Sequence, residues 1–160
     1  MDGSPAPEWV LLAHRLPREP STPRIAVWRR LKRLGVAQLG DGVVALPLAT
    51  QTREALEWVA QEIVDAGGDA TVWLARPSTQ AEGRALASAL AAAVAAEYAA
   101  LIGAAEAAAD EPPTTRRRTL GRLRRELQRI GRRDYFPPPE RERAEAAIAQ
   151  LGHALAEAPA

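Results

Sequence analysis

The sequence has no cysteine, which excludes disulfides, thiolate nucleophiles and thiolate metal sites. Its two histidines, His14 and His153, are too few for a histidine-rich metal centre, so neither a metal nor another cofactor is expected. The chain contains none of the GxGxxG, Walker-type, HExxH or GxSxG patterns, and no catalytic residue is assigned; an enzyme is not expected. His14 lies near the end of the first apolar run, where a structural hydrogen bond is its expected role, and His153 is expected on an apolar helix face. Asp41 falls in a turn, where aspartate is first a turn former. No apolar run is read as approaching the 18 residues of a membrane span. The opening MDGSPAPEW lacks the basic and apolar regions of a signal peptide, so a cytoplasmic address without membrane contact is expected.

What is present is ordinary in amount and uneven in distribution. In 160 residues the chain is 47% hydrophobic and 26% charged, with a formal net charge of +1. Residues 1–76 hold nine basic and nine acidic side chains, whereas 77–111 hold five acids and Arg84 alone. Residues 112–134 hold nine arginines against Glu126 and Asp134. Charge segregated in this way points to a local anionic partner more than to a uniformly basic protein.

The order of elements is β-α-β-β-α-β in residues 1–76, followed by helices in 77–160. EWVLLAH (8–14) has strand length. Ser21 or Thr22 is expected to cap the next helix, with Pro23 in its first turn and Gly35 as its stop. VAQLGDGVVALP reads as two strands around a turn at Gly40, Asp41 and Gly42. Residues 51–66 carry Ala55, Leu56, Val59 and Ile63 on one helical face before the Gly67-Gly68 pair, and DATVWLARP supplies a fourth strand. The expected class is α+β: a ferredoxin-like four-stranded antiparallel sheet with both helices on one face. Trp9, Trp28, Trp58 and Trp73 all fall in this half, which a single shared core would explain. The second half reads as an alanine-rich helix over 79–109, continuous or broken near Gly103, a basic helix over 115–133, and a final helix after PPP.

Two basic segments are candidate binding surfaces. In STPRIAVWRRLKRLG, Val27, Trp28, Leu31 and Leu34 share one arc, and Arg29, Arg30, Lys32 and Arg33 fill the other, with Arg24 one turn before them. From Arg24 to Leu34 there is no acid, so no ion pair at i, i+4 relieves their repulsion. In the second segment Leu120, Leu123, Leu127 and Ile130 form a narrow stripe, with Arg118, Arg122, Arg125, Arg129, Arg132 and Arg133 opposite. Arginines presented to phosphates give salt-sensitive affinity without sequence readout. The alternative for this helix is docking on the acidic 77–111 segment. Tyr135 and Phe136, beside arginines, could stack on bases or anchor the helix end.

WVLLAHRLP, PSTPRIAVWRRLKRLG, GVVALP, TREALEWVAQEIVDAGGDA and RLRRELQRIGRRDYF together resemble the N-terminal domain of the ChrB chromate-resistance proteins. The segment from Pro23 to Pro47 is also similar to the ferredoxin-like middle domain of PaaX-type repressors and, more distantly, to small CRISPR-associated ferredoxin-like nucleases. Those nucleases depend on an aspartate at the end of the first strand; Ala13-His14-Arg15 stands there here, so nuclease activity is not implied. The ChrB resemblance implies a bacterial, chromate-responsive transcriptional regulator. Its partner would be operator DNA, its effector chromate, and by analogy with other ferredoxin-like domains it would pair as a homodimer. Nucleic-acid contact is expected from Arg24, Arg29, Arg30, Lys32 and Arg33 on one surface and from Arg118, Arg122, Arg125 and Arg129 on another. A protein-interaction module and an oxyanion-binding accessory domain are the alternatives, the latter because clustered guanidinium groups suit a tetrahedral dianion.

Overall fold

The computed structural model describes residues 7–158. The elements are β1 (Trp9–Arg15), α1 (Ser21–Leu34), β2 (Ala37–Gly40), β3 (Val43–Pro47), α2 (Thr50–Asp65), β4 (Asp69–Ala75), α3 (Gln80–Ala108), α4 (Pro113–Gly131) and α5 (Glu140–Glu157). They form two compact units, the first ending at Leu90 and the second beginning at Ala91.

The first unit is built on a four-stranded sheet in the order β2-β3-β1-β4 with every neighbouring pair antiparallel, which gives the α+β class and βαββαβ order read from the sequence. Opposed residues share a face. Val10 pairs with Leu46 and Leu12 with Val44, and these four are almost wholly buried. α1 contributes Val27 and Leu31 to this core and α2 contributes Leu56, Val59 and Ile63. On the opposite face an apolar groove of about 600 Å³ is lined by Leu11, Leu39, Ala75, Leu86 and Ala89.

The hairpin turn depends on glycine. Gly42 sits at φ 74°, in the left-handed region, and a Cβ there would come within 2.4 Å of the His14 carbonyl oxygen. The Gly42 carbonyl in turn accepts the His14 N–H at 2.7 Å. Gly35 closes α1 at φ 74° as expected. The start of α1 differs from expectation: Ser21 is already helical, Pro20 takes the cap position, and no side chain caps it. At the start of α2 the Thr52 hydroxyl accepts the Ala49 N–H at 2.9 Å and donates to the Pro47 carbonyl at 2.6 Å, fixing the helix to the end of β3. α3 opens on a reciprocal capping box: Thr79 N–H donates to Glu82 at 3.0 Å and Glu82 N–H to the Thr79 hydroxyl at 3.1 Å. Hydrogen bonds from the Ser78 hydroxyl, the Thr79 hydroxyl and the Thr79 N–H hold the Glu82 carboxyl below its ordinary pKa.

The four tryptophans do not share a core. Trp9 is 1% exposed, but Trp28, Trp58 and Trp73 are 57%, 71% and 59% exposed. On a wheel Trp28 stands about 90° from the centre of the Val27, Leu31 and Leu34 arc, and Trp58 points away from Leu56, Val59 and Ile63.

The second unit is helical. Val94, Tyr98, Leu101 and Ala105 of α3, Leu120, Leu123 and Ile130 of α4, and Ala144, Ile148, Leu151 and Leu155 of α5 make its core. α3 runs unbroken through Gly103. By length and composition α3 is long and apolar enough to cross a membrane, contrary to the sequence reading, because alanine supplies hydropathy without bulk. Val94, Tyr98 and Leu101 of α3 are packed in the core just described, and Leu86 borders the groove on the sheet.

Candidate functional site

In α4 the leucine–isoleucine stripe fixes which way the arginines turn. Leu120, Leu123 and Ile130 are buried. On the opposite side stand Arg118, Arg122, Arg125, Arg129 and Arg132, spaced alternately by four and three residues and all exposed. Alternate steps of four and three keep side chains within a narrow arc, so the five guanidinium groups form one row about 21 Å long. Arg132 completes the row; the contact set expected from the sequence stops at Arg129.

The acids near this row engage little of it. Glu126 pairs with Arg122 at 3.2 Å, one turn along the same helix and largely in solvent, where such a pair is weak. Arg133 leaves the row: it is bonded to Glu97 of α3 and to the Arg129 carbonyl. Among the described residues Arg118, Arg125, Arg129 and Arg132 make no ion pair, nor do Glu106, Asp110 and Glu111. Within this unit, docking on the acidic segment therefore occupies Arg133 and leaves the row in solvent.

The segment after α4 is an anchor. Tyr98, fully buried, donates its hydroxyl to Asp134 Oδ2 at 2.8 Å, and Arg141 Nη1 stands 3.6 Å from the same oxygen. Burial first, then the Asp134 hydrogen bond and charge, pushes the Tyr98 phenol up to about 12. Tyr135 and Phe136 are half-buried. Burial also pushes the Tyr135 phenol up.

The first basic segment belongs to the other unit and is arranged differently. Arg30 is half-buried and bonded at 3.0 Å to Glu62 of α2, so the acid missing from α1 is supplied by its neighbour. Lys32 lies over the Trp28 ring, 4.8 Å from its centroid. Arg29 and Arg33 are exposed on the outer face. Arg24 and Lys32 also border a cleft of about 900 Å³ between α1, the end of β1 and the β2–β3 turn, with Arg15, His14, Trp28 and Asp41 around it. Partial burial in this cleft lowers the His14 pKa below its ordinary 6.5. Arg15 was not singled out from the sequence; only the sheet register, which sets it beside Asp69 at the strand end, brings it here. His153 is exposed, not on the apolar face of α5, which Ile148, Leu151 and Leu155 occupy. Among the described residues no three His, Asp or Glu side chains are grouped as metal ligands.

The family model described as Protein ChrB, N-terminal, matches residues 24–111, more than half of the chain. A curated relative, the Protein ChrB of Cupriavidus metallidurans, is 32% identical over 150 residues, covering 91% of this chain and 45% of its own length. The chain thus spans about half the length of that relative. No solved structure matches.

Proposed function

The chain belongs to the ChrB N-terminal family, which is associated with chromate resistance, and we propose that it acts there as a DNA-binding transcriptional regulator. The observation that carries this reading is the exposed row Arg118, Arg122, Arg125, Arg129 and Arg132. A row of cations about 21 Å long spans several phosphates of one strand, and each contact releases condensed counterions. The opposite stripe of the helix is packed in a core, so the backbone that carries the row is fixed before any ligand arrives. Phosphate contact of this kind fixes affinity and register; base readout needs further groups. Chromate is proposed as the effector on the family relation alone.

Fluorescence anisotropy of the purified protein with labelled duplex from upstream of its own operon tests the reading, across a salt series and with or without chromate. Tight binding that weakens steeply with salt is expected, together with a loss of at least tenfold in the Arg122→Glu/Arg125→Glu variant. Loosening by chromate would make the chain a sensor as well as a binder. Unchanged affinity in the charge-reversed variant would remove α4 from the DNA contact, and no binding at low salt would assign the row to an acidic protein partner.

A further inference from the structure

The two basic helices differ in one respect that charge counting does not reveal. Among the described residues the exposed α4 row has one ion pair, Arg122–Glu126, within its own helix, whereas α1 is bonded through Arg30 to a neighbouring helix with an acidic outer surface. α1 joins β1 to β2 and α2 joins β3 to β4; β1 and β3 are antiparallel, so the two helices run antiparallel on one face of the sheet. The Arg30–Glu62 bond sets their relative height. The outer surface of α1 carries Arg29, Lys32 and Arg33 with no acid, and that of α2 carries Glu54, Glu57 and Asp65. The one base on α2, Arg53, is already tied to Glu57 at 3.0 Å. This surface also holds large exposed apolar side chains: Trp58 at 71%, Trp28 at 57%, Val64 at 50% and Ile25 at 47%.

We propose that the α1–α2 layer is a self-association face whose partner is a second copy of this chain. A two-fold axis lying in that face and parallel to the helices sets α1 of each copy on α2 of the other, antiparallel, with basic against acidic on both sides of the axis. The rotation preserves height along the helices. At about 1.5 Å per residue, Arg29 comes level with Gln61 to Asp65 of the second copy, and Arg33 with its Trp58. An axis across the helices would instead oppose like charges, so the charge pattern selects one of the two pairings. Trp58 is the anchor: a flat, largely exposed aromatic near the centre of the face, where burial contributes most to affinity. The apolar groove on the other side of the sheet carries no comparable charge pattern. Self-association stands apart from DNA contact through α4 and holds whether or not DNA binds; the two together present two arginine rows per assembly.

Charge exchange tests the proposal on the full chain by sedimentation equilibrium, with circular dichroism as the check on folding. The unaltered protein is expected to be a dimer that weakens with salt. Arg29→Glu/Arg33→Glu alone and Glu54→Arg/Asp65→Arg alone are each expected to dissociate at least tenfold more readily. An equimolar mixture of the two variants restores dimer, since every altered helix then meets an altered partner. Trp58→Ala, at a site too exposed to threaten folding, should weaken the dimer by a similar factor. A monomeric unaltered protein, a dimer indifferent to these substitutions, or a mixture that stays monomeric overturns the proposal. So does a dimer broken by Trp73→Ala but not by charge reversal, which would move the interface to the open side of the sheet.

Discussion

The hydroxyl of Tyr98 donates to Asp134 Oδ2 at 2.8 Å across 36 residues of chain, joining the middle of α3 to the segment that follows α4. The Asp134 side chain is fully buried, and Arg141 at 3.6 Å provides its nearest cation. Both partners meet the carboxyl at Oδ2, where a donor and a cation offset its burial. The arrangement fixes the end of the arginine row to the core of its unit, so a change at Tyr98 acts on the row through the fold.

Burial of the Tyr98 phenol, with its bond to Asp134, makes the helical unit sensitive to alkali. A phenol held at about 12 in the folded chain and near 10 in the unfolded chain binds its proton more tightly when folded. The stabilisation is complete below pH 10 and is lost between pH 10 and 12, worth roughly 2–3 kcal/mol. Tyr98→Phe should remove that alkaline loss and lower stability at neutral pH by about 1–2 kcal/mol, since Asp134 loses a donor. Urea unfolding at pH 7 and pH 11 reads both effects; an unchanged alkaline slope in the variant would exclude Tyr98 as its source.

Gly42→Ala should destabilise the first unit by about 2–4 kcal/mol, from a left-handed φ and from the approach to the His14 carbonyl together. Gly40→Ala, in the same turn but with open space around it, should cost less than half as much. Paired urea titrations compare them directly; equal effects would mean that backbone entropy, not the contact with β1, governs the turn.

Much of this architecture was legible in the sequence because its punctuation is local. Gly35, the Gly40–Gly42 turn and Gly67 mark element ends, and the period of Leu56, Val59 and Ile63 marks a helix. The α4 row was legible for the same reason, since steps of four and three in arginine mirror those in leucine. What was not legible is tertiary. Arg30 finds Glu62 across 32 residues and Arg133 finds Glu97 across 36, so neither pair shows in a window of one helix. The tryptophans are hydrophobic enough for a core, but the phase of Trp28 and Trp58 on their helices turns both toward solvent.

Trp9 and Trp58 should respond oppositely to truncation. Trp9 is 1% exposed, and Trp9→Ala should cost about 3–5 kcal/mol. Trp58→Ala, at a side chain 71% exposed in the single chain, should leave the stability of the monomer within about 0.5 kcal/mol, read at a dilution and salt concentration where the chain does not associate. Tryptophan emission offers a second reading under the same conditions: losing Trp58 removes a red-shifted, readily quenched contribution, and losing Trp9 a protected one. A large stability loss at Trp58 in the monomer would show that it packs within its own chain.

The arginines of the second unit should separate by salt dependence. For phosphate contact, each guanidinium neutralising one phosphate contributes about 0.9 to the slope of log affinity against log salt, so five contacts give a slope near −4.5. Arg125 stands in the row with no ion pair to lose, and Arg125→Ala should reduce the slope by about one with little change in stability. Arg133 is turned to Glu97, with a side chain only 18% exposed, and Arg133→Ala should leave the slope unchanged while lowering stability by about 1–3 kcal/mol. The two substitutions remove the same charge from the same stretch of chain. If long-range attraction by a basic segment were sufficient, both would weaken binding alike and neither would change the slope selectively; if the row makes the contacts, only Arg125→Ala does.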